Sequence, residues 1–111
     1  MPDQPHAYGV TDLFADAVFR RLSAGEIVLV DVREPEETAR ERYPGAVIVP
    51  LSRFDPAQIP DPQGRQVVFA CRSGKRSVTA SLMAQAAGYP YNAHLAGGIL
   101  AWKAAGLPTE S

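Results

Sequence analysis

The sequence predicts an α/β domain built on a mainly parallel sheet with helices on both faces. Apolar, β-branched runs alternate along the chain with stretches of helical periodicity, the order expected of such folds. The runs are continuous rather than alternating in polarity, which suits strands covered on both sides. Glycine or proline marks most of the changes from one kind of segment to the other.

Residues 1–8 are expected to be irregular. A helix is predicted over 11–24, with Thr11 as its N-cap, Phe14, Val18 and Leu22 spaced four apart on one face, and Gly25 as its terminator. Ile27-Val28-Leu29-Val30-Asp31-Val32 reads as a buried strand. Residues 35–42 follow as a short charged helix opened by Pro35, and Ala46-Val47-Ile48-Val49 as a strand closed by Pro50. Pro56, Pro60, Pro62 and Gly64 mark 52–64 as an irregular surface connection. Val67-Val68-Phe69-Ala70 is a second buried strand. A helix over 77–87 follows, with Val78, Leu82 and Ala86 on its stripe and Gly88 at its end. A weaker strand over 91–95, the Gly97-Gly98 turn and a helix over 99–105 complete the pattern.

The totals bound what such a domain does. With 111 residues and 46% hydrophobic content, one globular domain over 1–111 is expected. A net charge of -1 provides no overall field for nucleic acid or an anionic membrane. No run approaches the roughly 18 apolar residues of a membrane span. Met1 to His6 lack the basic flank and apolar stretch of a secretory signal, so the cytoplasm is the expected compartment. The single cysteine forms no internal disulfide, no thiolate metal site by itself and no Cys-x-x-Cys pair, and no metal or other cofactor is expected.

That cysteine is the candidate nucleophile. Cys71 follows a strand and precedes a helix, in Cys71-Arg72-Ser73-Gly74-Lys75-Arg76-Ser77. A thiol attacks as its thiolate, which backbone N–H groups, a helix N-terminus and nearby cations all favour. Gly74 permits the positive φ that curls successive amides into an anion nest, and Arg72, Lys75 and Arg76 add positive charge. An isolated cysteine is more often a small buried hydrophobe, but here strand end, glycine and cations converge on it. In parallel sheets sites gather beyond the carboxyl ends of strands, where both Asp31 and Cys71 are expected.

Three segments extend this into a resemblance. They are Val30-Asp31-Val32-Arg33-Glu34-Pro35-Glu36-Glu37 with Pro44-Gly45-Ala46 and Val49-Pro50-Leu51, then Phe69 to Ser77, then Leu95-Ala96-Gly97-Gly98-Ile99-Leu100-Ala101-Trp102. In this order and spacing the chain resembles a rhodanese-type sulfurtransferase domain. The resemblance implies a sheet of about five strands and a six-residue loop whose first residue, Cys71, receives a sulfane sulfur as a persulfide. It implies that Arg72 and Lys75 attract an anionic donor such as thiosulfate. Ser73, Gly74 and Arg76 would shape the cradle, Ser77 would open the supporting helix, and Asp31 and Arg33 would brace the site. The implied partners are a small anionic sulfur donor and a cyanide, small-thiol or protein-thiol acceptor. The family's usual Gly-His-Ile is replaced by Glu41-Arg42-Tyr43, and its frequent acidic residue before Gly-Gly by Ala96; both departures are expected to lie away from the cysteine loop.

Two other functions compete. Tyrosine and dual-specificity phosphatases and arsenate reductases need a wider loop, with five residues between cysteine and arginine, whereas four separate Cys71 from Arg76. A non-catalytic interaction module that kept the fold and lost the chemistry is disfavoured by the intact cysteine and its cations, whereas a role limited to accepting sulfur from one protein partner stays open. His6 and His94 lack a second ligand at metal spacing and read as structural or solvated. Trp102 reads as packing, and Glu34, Glu36 and Glu37 as complements to a helix dipole.

Overall fold

The computed structural model describes residues 9–111 and the backbone of Gln4–Pro5. Its elements are β1 (Gln4–Pro5), β2 (Thr11–Leu13), α1 (Ala15–Ser23), β3 (Ile27–Asp31), α2 (Pro35–Arg40), β4 (Val47–Ile48), β5 (Gln66–Ala70), α3 (Lys75–Ala86), β6 (Ala93–Leu95) and α4 (Gly98–Ala104). They form one sheet in the order β1-β2-β6-β5-β3-β4. Strands β2, β6, β5, β3 and β4 run parallel, and β1 adds a short antiparallel edge on β2.

The centre of the sheet is β3 beside β5, in register from Ile27 with Gln66 to Asp31 with Ala70. Continuous β-branched side chains suit this position because both faces are covered. On one face α1 and α4 pack through Val18, Ile99 and Trp102 against Leu29, Val68 and Leu95. On the other, α3 packs through Ala80 and Ala84 against Val28, Val30 and Phe69, and the connection after β4 closes over them with Leu51, Phe54 and Ile59. Trp102 is fully buried, sets its ring edge-on to Tyr43 and Phe19, and donates its indole N–H to the Pro108 carbonyl at 2.7 Å. It is a packing residue with a satisfied polar end.

The chain departs from its sequence pattern in three places. Within the expected irregular start, Gln4–Pro5 forms β1; the other residues of 1–8, His6 among them, lie outside the described residues. Thr11 is no helix cap, because Thr11–Leu13 pairs with β6 as β2, and α1 begins after Phe14 without a side-chain cap. A strand ladder there satisfies backbone groups that a cap would have served only locally. In α3 the buried stripe is Ser77, Ala80, Ser81 and Ala84, while Leu82 and Ala86 are exposed and Val78 half-buried. Helix and sheet approach closely here, so small side chains face inward and the larger ones point out. The segment over 52–64 is not wholly irregular, since two single 3₁₀ turns, Leu51–Arg53 and Pro56–Gln58, begin and punctuate it.

Candidate active site

Asp31 ends β3 and Cys71 directly follows β5, so both stand at the carboxyl edge of the sheet. From Cys71 the backbone turns through Arg72, Ser73 and Gly74 into α3, which begins at Lys75, two residues before the expected start. Gly74 adopts φ +100°, and a side chain there would also meet the Gly97 amide nitrogen at 3.0 Å. Glycine is required on both counts.

The loop is held from behind. The Cys71 carbonyl accepts from the Ile99 amide at 2.9 Å and from the Tyr43 hydroxyl at 2.7 Å, and the Arg72 carbonyl accepts from the Leu100 amide at 3.2 Å. With its carbonyls tied outward, the loop turns its amides inward. A Cβ at Gly98 would fall 2.3 Å from the Arg72 carbonyl oxygen, so the Gly97-Gly98 turn lets α4 approach the loop this closely.

The inward amides meet the sulfur. The Gly74 N–H donates to Cys71 Sγ at 3.1 Å, and the Ser77 hydroxyl lies 3.5 Å from it. Burial opposes a charged Cys71, but the Ser77 hydroxyl and the amides of Ser77, Gly74 and Ser73 outweigh it and hold the thiol below its ordinary value. The leading contributions that favour the thiolate are hydrogen bonds. Arg72 and Lys75 are exposed. Arg76 instead makes a two-bond pair with Glu37, at 2.6 and 2.9 Å. That pairing, with a backbone bond from Glu34, lowers Glu37 to about 2.

Asp31 and Arg33 form a buried fork, with Arg33 Nη2 2.8 Å and Nε 3.1 Å from the carboxylate oxygens. Burial alone would lower the Arg33 pKa, yet the bonds and charge of Asp31 raise it. Removing either partner strands the other, at a cost of about 3–5 kcal/mol. Arg33 also donates to the Glu41 carbonyl at 2.8 Å and lies over the Tyr43 ring. The pair thus positions Tyr43, which in turn holds the Cys71 carbonyl.

The segment 41–43 therefore does not lie away from the loop. Its place is fixed by Tyr43, fully buried beneath Cys71, and by a bridge of Arg42 to Glu110 with Glu41 bonded to Lys103 and Thr109. Tyr43, Glu37, His94 and Asp12 were not singled out as site residues by the sequence. His94 is only 3% exposed; its Nδ1 lies 2.8 Å from Ser77 Oγ and its Nε2 2.6 Å from Asp12 Oδ1. A histidine in a strand facing an aspartate in the neighbouring strand was the available signal, hidden while Asp12 was assigned to a helix. A cleft of 240 Å³ adjoins the loop, lined by Arg33, Arg40, Arg72, Leu100 and Lys103 among others. Among the described residues no group of three or more His, Cys, Asp or Glu is arranged to hold a metal ion, and no helix is long and apolar enough to cross a membrane.

A parallel sheet carrying a cysteine in a nest of amides at its carboxyl edge defines an α/β domain of the cysteine-loop class. The chain belongs to the rhodanese-like domain family, whose model matches residues 14–105. It is 36% identical over 100 residues to a sulfurtransferase of Allochromatium vinosum, covering 89% of this chain and 94% of that one. It is 47% identical over 83 residues to an uncharacterized protein of Synechocystis, covering 75% of this chain but 46% of the longer relative. A solved structure from Rhodopseudomonas palustris, of unknown function and a possible tyrosine phosphatase, superposes with a TM-score of 0.78 at 31% identity, covering 93% of this chain and 86% of that one.

Proposed function

We propose that the protein is a sulfurtransferase in which Cys71 carries the transferred atom as a persulfide. The observation that carries this reading is the convergence of amide N–H groups and the Ser77 hydroxyl on one sulfur, in a loop whose carbonyls are tied the other way. The Cys71 thiolate attacks the outer sulfur of thiosulfate, a Cys71 S–S bond forms, the donor's S–S bond breaks, and sulfite leaves with the electron pair. An acceptor thiolate or cyanide then attacks the outer sulfur of the persulfide. This regenerates the thiolate and releases a new persulfide or thiocyanate.

Each side chain has a physical task in this scheme. The amides of Ser73, Gly74 and Ser77 stabilise negative charge as it moves from the inner to the outer sulfur. Arg72 and Lys75, exposed at the mouth, draw in an anionic donor. Asp31, Arg33 and Tyr43 keep the Cys71 carbonyl turned away, and Arg76 fixes the loop to α2 through Glu37. A phosphatase reading is disfavoured because Arg76, the cation that would grip a phosphate, is engaged by a carboxylate, and the loop is one residue short.

Incubation with thiosulfate followed by intact mass measurement should show one added sulfur atom that a reductant removes. Cys71→Ser should show none and should lose transfer while keeping its fold. Absence of a labile sulfur in the folded parent protein sinks the proposal.

A further inference from the structure

From the nucleophile runs a continuous chain of polar groups, of which the transfer scheme uses only the first two: Cys71 Sγ, Ser77 Oγ, His94 Nδ1, His94 Nε2 and Asp12 Oδ1, at successive contacts of 3.5, 2.8 and 2.6 Å. Three elements build it. Asp12 and His94 are register partners on β2 and β6, and Ser77 reaches them from the first turn of α3. The ring also lies directly under the loop, since a Cβ on Gly74 would sit 3.8 Å from His94 Cε1. Such a network is costly to bury unless each member is satisfied, and here each is.

From this arrangement we infer that His94 and Asp12 are positioning residues that set the ionisation of Cys71 through Ser77. The inference rests on the reading of Cys71 as a thiolate nucleophile. The proton count closes without any outside group. In the thiol state the S–H donates to Ser77 Oγ, the Ser77 O–H donates to His94 Nδ1, and His94 Nε2–H donates to the Asp12 carboxylate. When the thiol ionises, its proton passes to Ser77 Oγ as the Ser77 proton passes to His94 Nδ1. The hydroxyl then donates to the thiolate, and the imidazolium is left beside Asp12. One negative charge is created at the sulfur and one positive charge at the ring, with Asp12 stabilising the second.

The same shift runs in reverse at the end of turnover. When the thiolate is regenerated in the second transfer, the proton stored on His94 can return to it through Ser77, so no water need enter the loop. Asp12 faces one edge of the ring from β2 and Ser77 faces the other from α3, with Cys71 behind it. On the other side of β6, Phe69 of β5 is the register partner of His94.

The test is a pH titration of thiolate ultraviolet absorbance, read against Cys71→Ser as the blank, since the chain has one cysteine. His94→Gln, which keeps hydrogen-bonding capacity but cannot take a proton, should raise the pH at which Cys71 ionises by about one unit, about a tenfold loss of thiolate at any pH below the parent's ionisation. Asp12→Asn should shift it in the same direction by about threefold. Transfer by either variant should recover as the pH is raised, which a purely structural defect would not permit. An unshifted titration in folded His94→Gln overturns the inference. Should His94→Gln fail to fold, Asp12→Asn, at the half-exposed end of the chain, decides by the same reading. Sulfur loading of the parent protein is measured alongside. If it fails while the titration still shifts, the transferase reading falls and the relay stands.

Discussion

The two ends of the central strands offer opposite kinds of hollow. Beside the amino-terminal half of β3 lies the roomier one, of 610 Å³, lined by Phe19, Leu22, Ile27, Pro44 and Val47, with Arg65 on its rim. Arg65 is turned to its own loop, donating to the Pro62 carbonyl at 2.9 Å. At the carboxyl end the cleft is less than half that volume, yet polar groups from the segment after β3, from α2, α4 and the Cys71 loop meet there. Volume does not mark the site. What marks it is backbone whose donors are forced to one side, which needs tight packing behind it rather than open space in front.

The largest effect that sharpens this contrast is expected at the glycines. Gly98→Ala would press a methyl group onto the Arg72 carbonyl, where backbone cannot yield, and should cost about 2–4 kcal/mol in urea unfolding and nearly all sulfur transfer. Gly45→Ala, at the amino end with φ +71° and nothing near its missing Cβ, should cost about 1 kcal/mol of backbone strain and leave transfer intact. Equal losses at both positions would break the comparison.

A smaller change is expected at Tyr43. Tyr43→Phe removes one of two donors from the Cys71 carbonyl, so stability should fall by about 1 kcal/mol, with transfer falling more than this alone explains. Transfer unchanged in the phenylalanine variant would show that the Ile99 amide suffices to aim the loop.

The least effect belongs to the pair that ties the loop to α2. Glu37 is lowered from 4.5 to about 2, chiefly by Arg76. A depressed carboxyl stabilises the fold above its unfolded value and loses that contribution as pH falls toward the folded one. The increment should therefore disappear between pH 4.5 and about 2. Because both side chains are partly exposed it should amount to no more than about 1 kcal/mol. In Glu37→Gln the acid unfolding curve should lack that segment; a curve identical to the parent's would show the pair to be energetically idle.

The same contrast explains what the sequence revealed. Strands β3 to β6 and the Cys71 loop were legible because their signals are local: β-branched runs, a glycine at a positive φ, a cysteine between strand and helix. The pair of Asp31 and Arg33 was legible through resemblance, its members being only two positions apart. His94 and Asp12 were not, being 82 positions apart and joined only by strand pairing. Tyr43 reaches Cys71 across 28 positions, and its hydroxyl is invisible to any pattern of hydrophobicity. The buried stripe of α3 was misread for a related reason. Periodicity favours large apolar residues, whereas a helix pressed close to a sheet selects serine and alanine.

The depth of Cys71 has one more consequence. The residue is 1% exposed, so the bare thiol sits at the floor of its cup and only a slender terminal atom can arrive there. On the proposed chemistry, loading lengthens the side chain by one sulfur–sulfur bond, about 2 Å toward the mouth. The charged carrier would then offer its cargo where the empty one withholds its own atom, and an acceptor too broad to touch the resting protein would still be able to unload it.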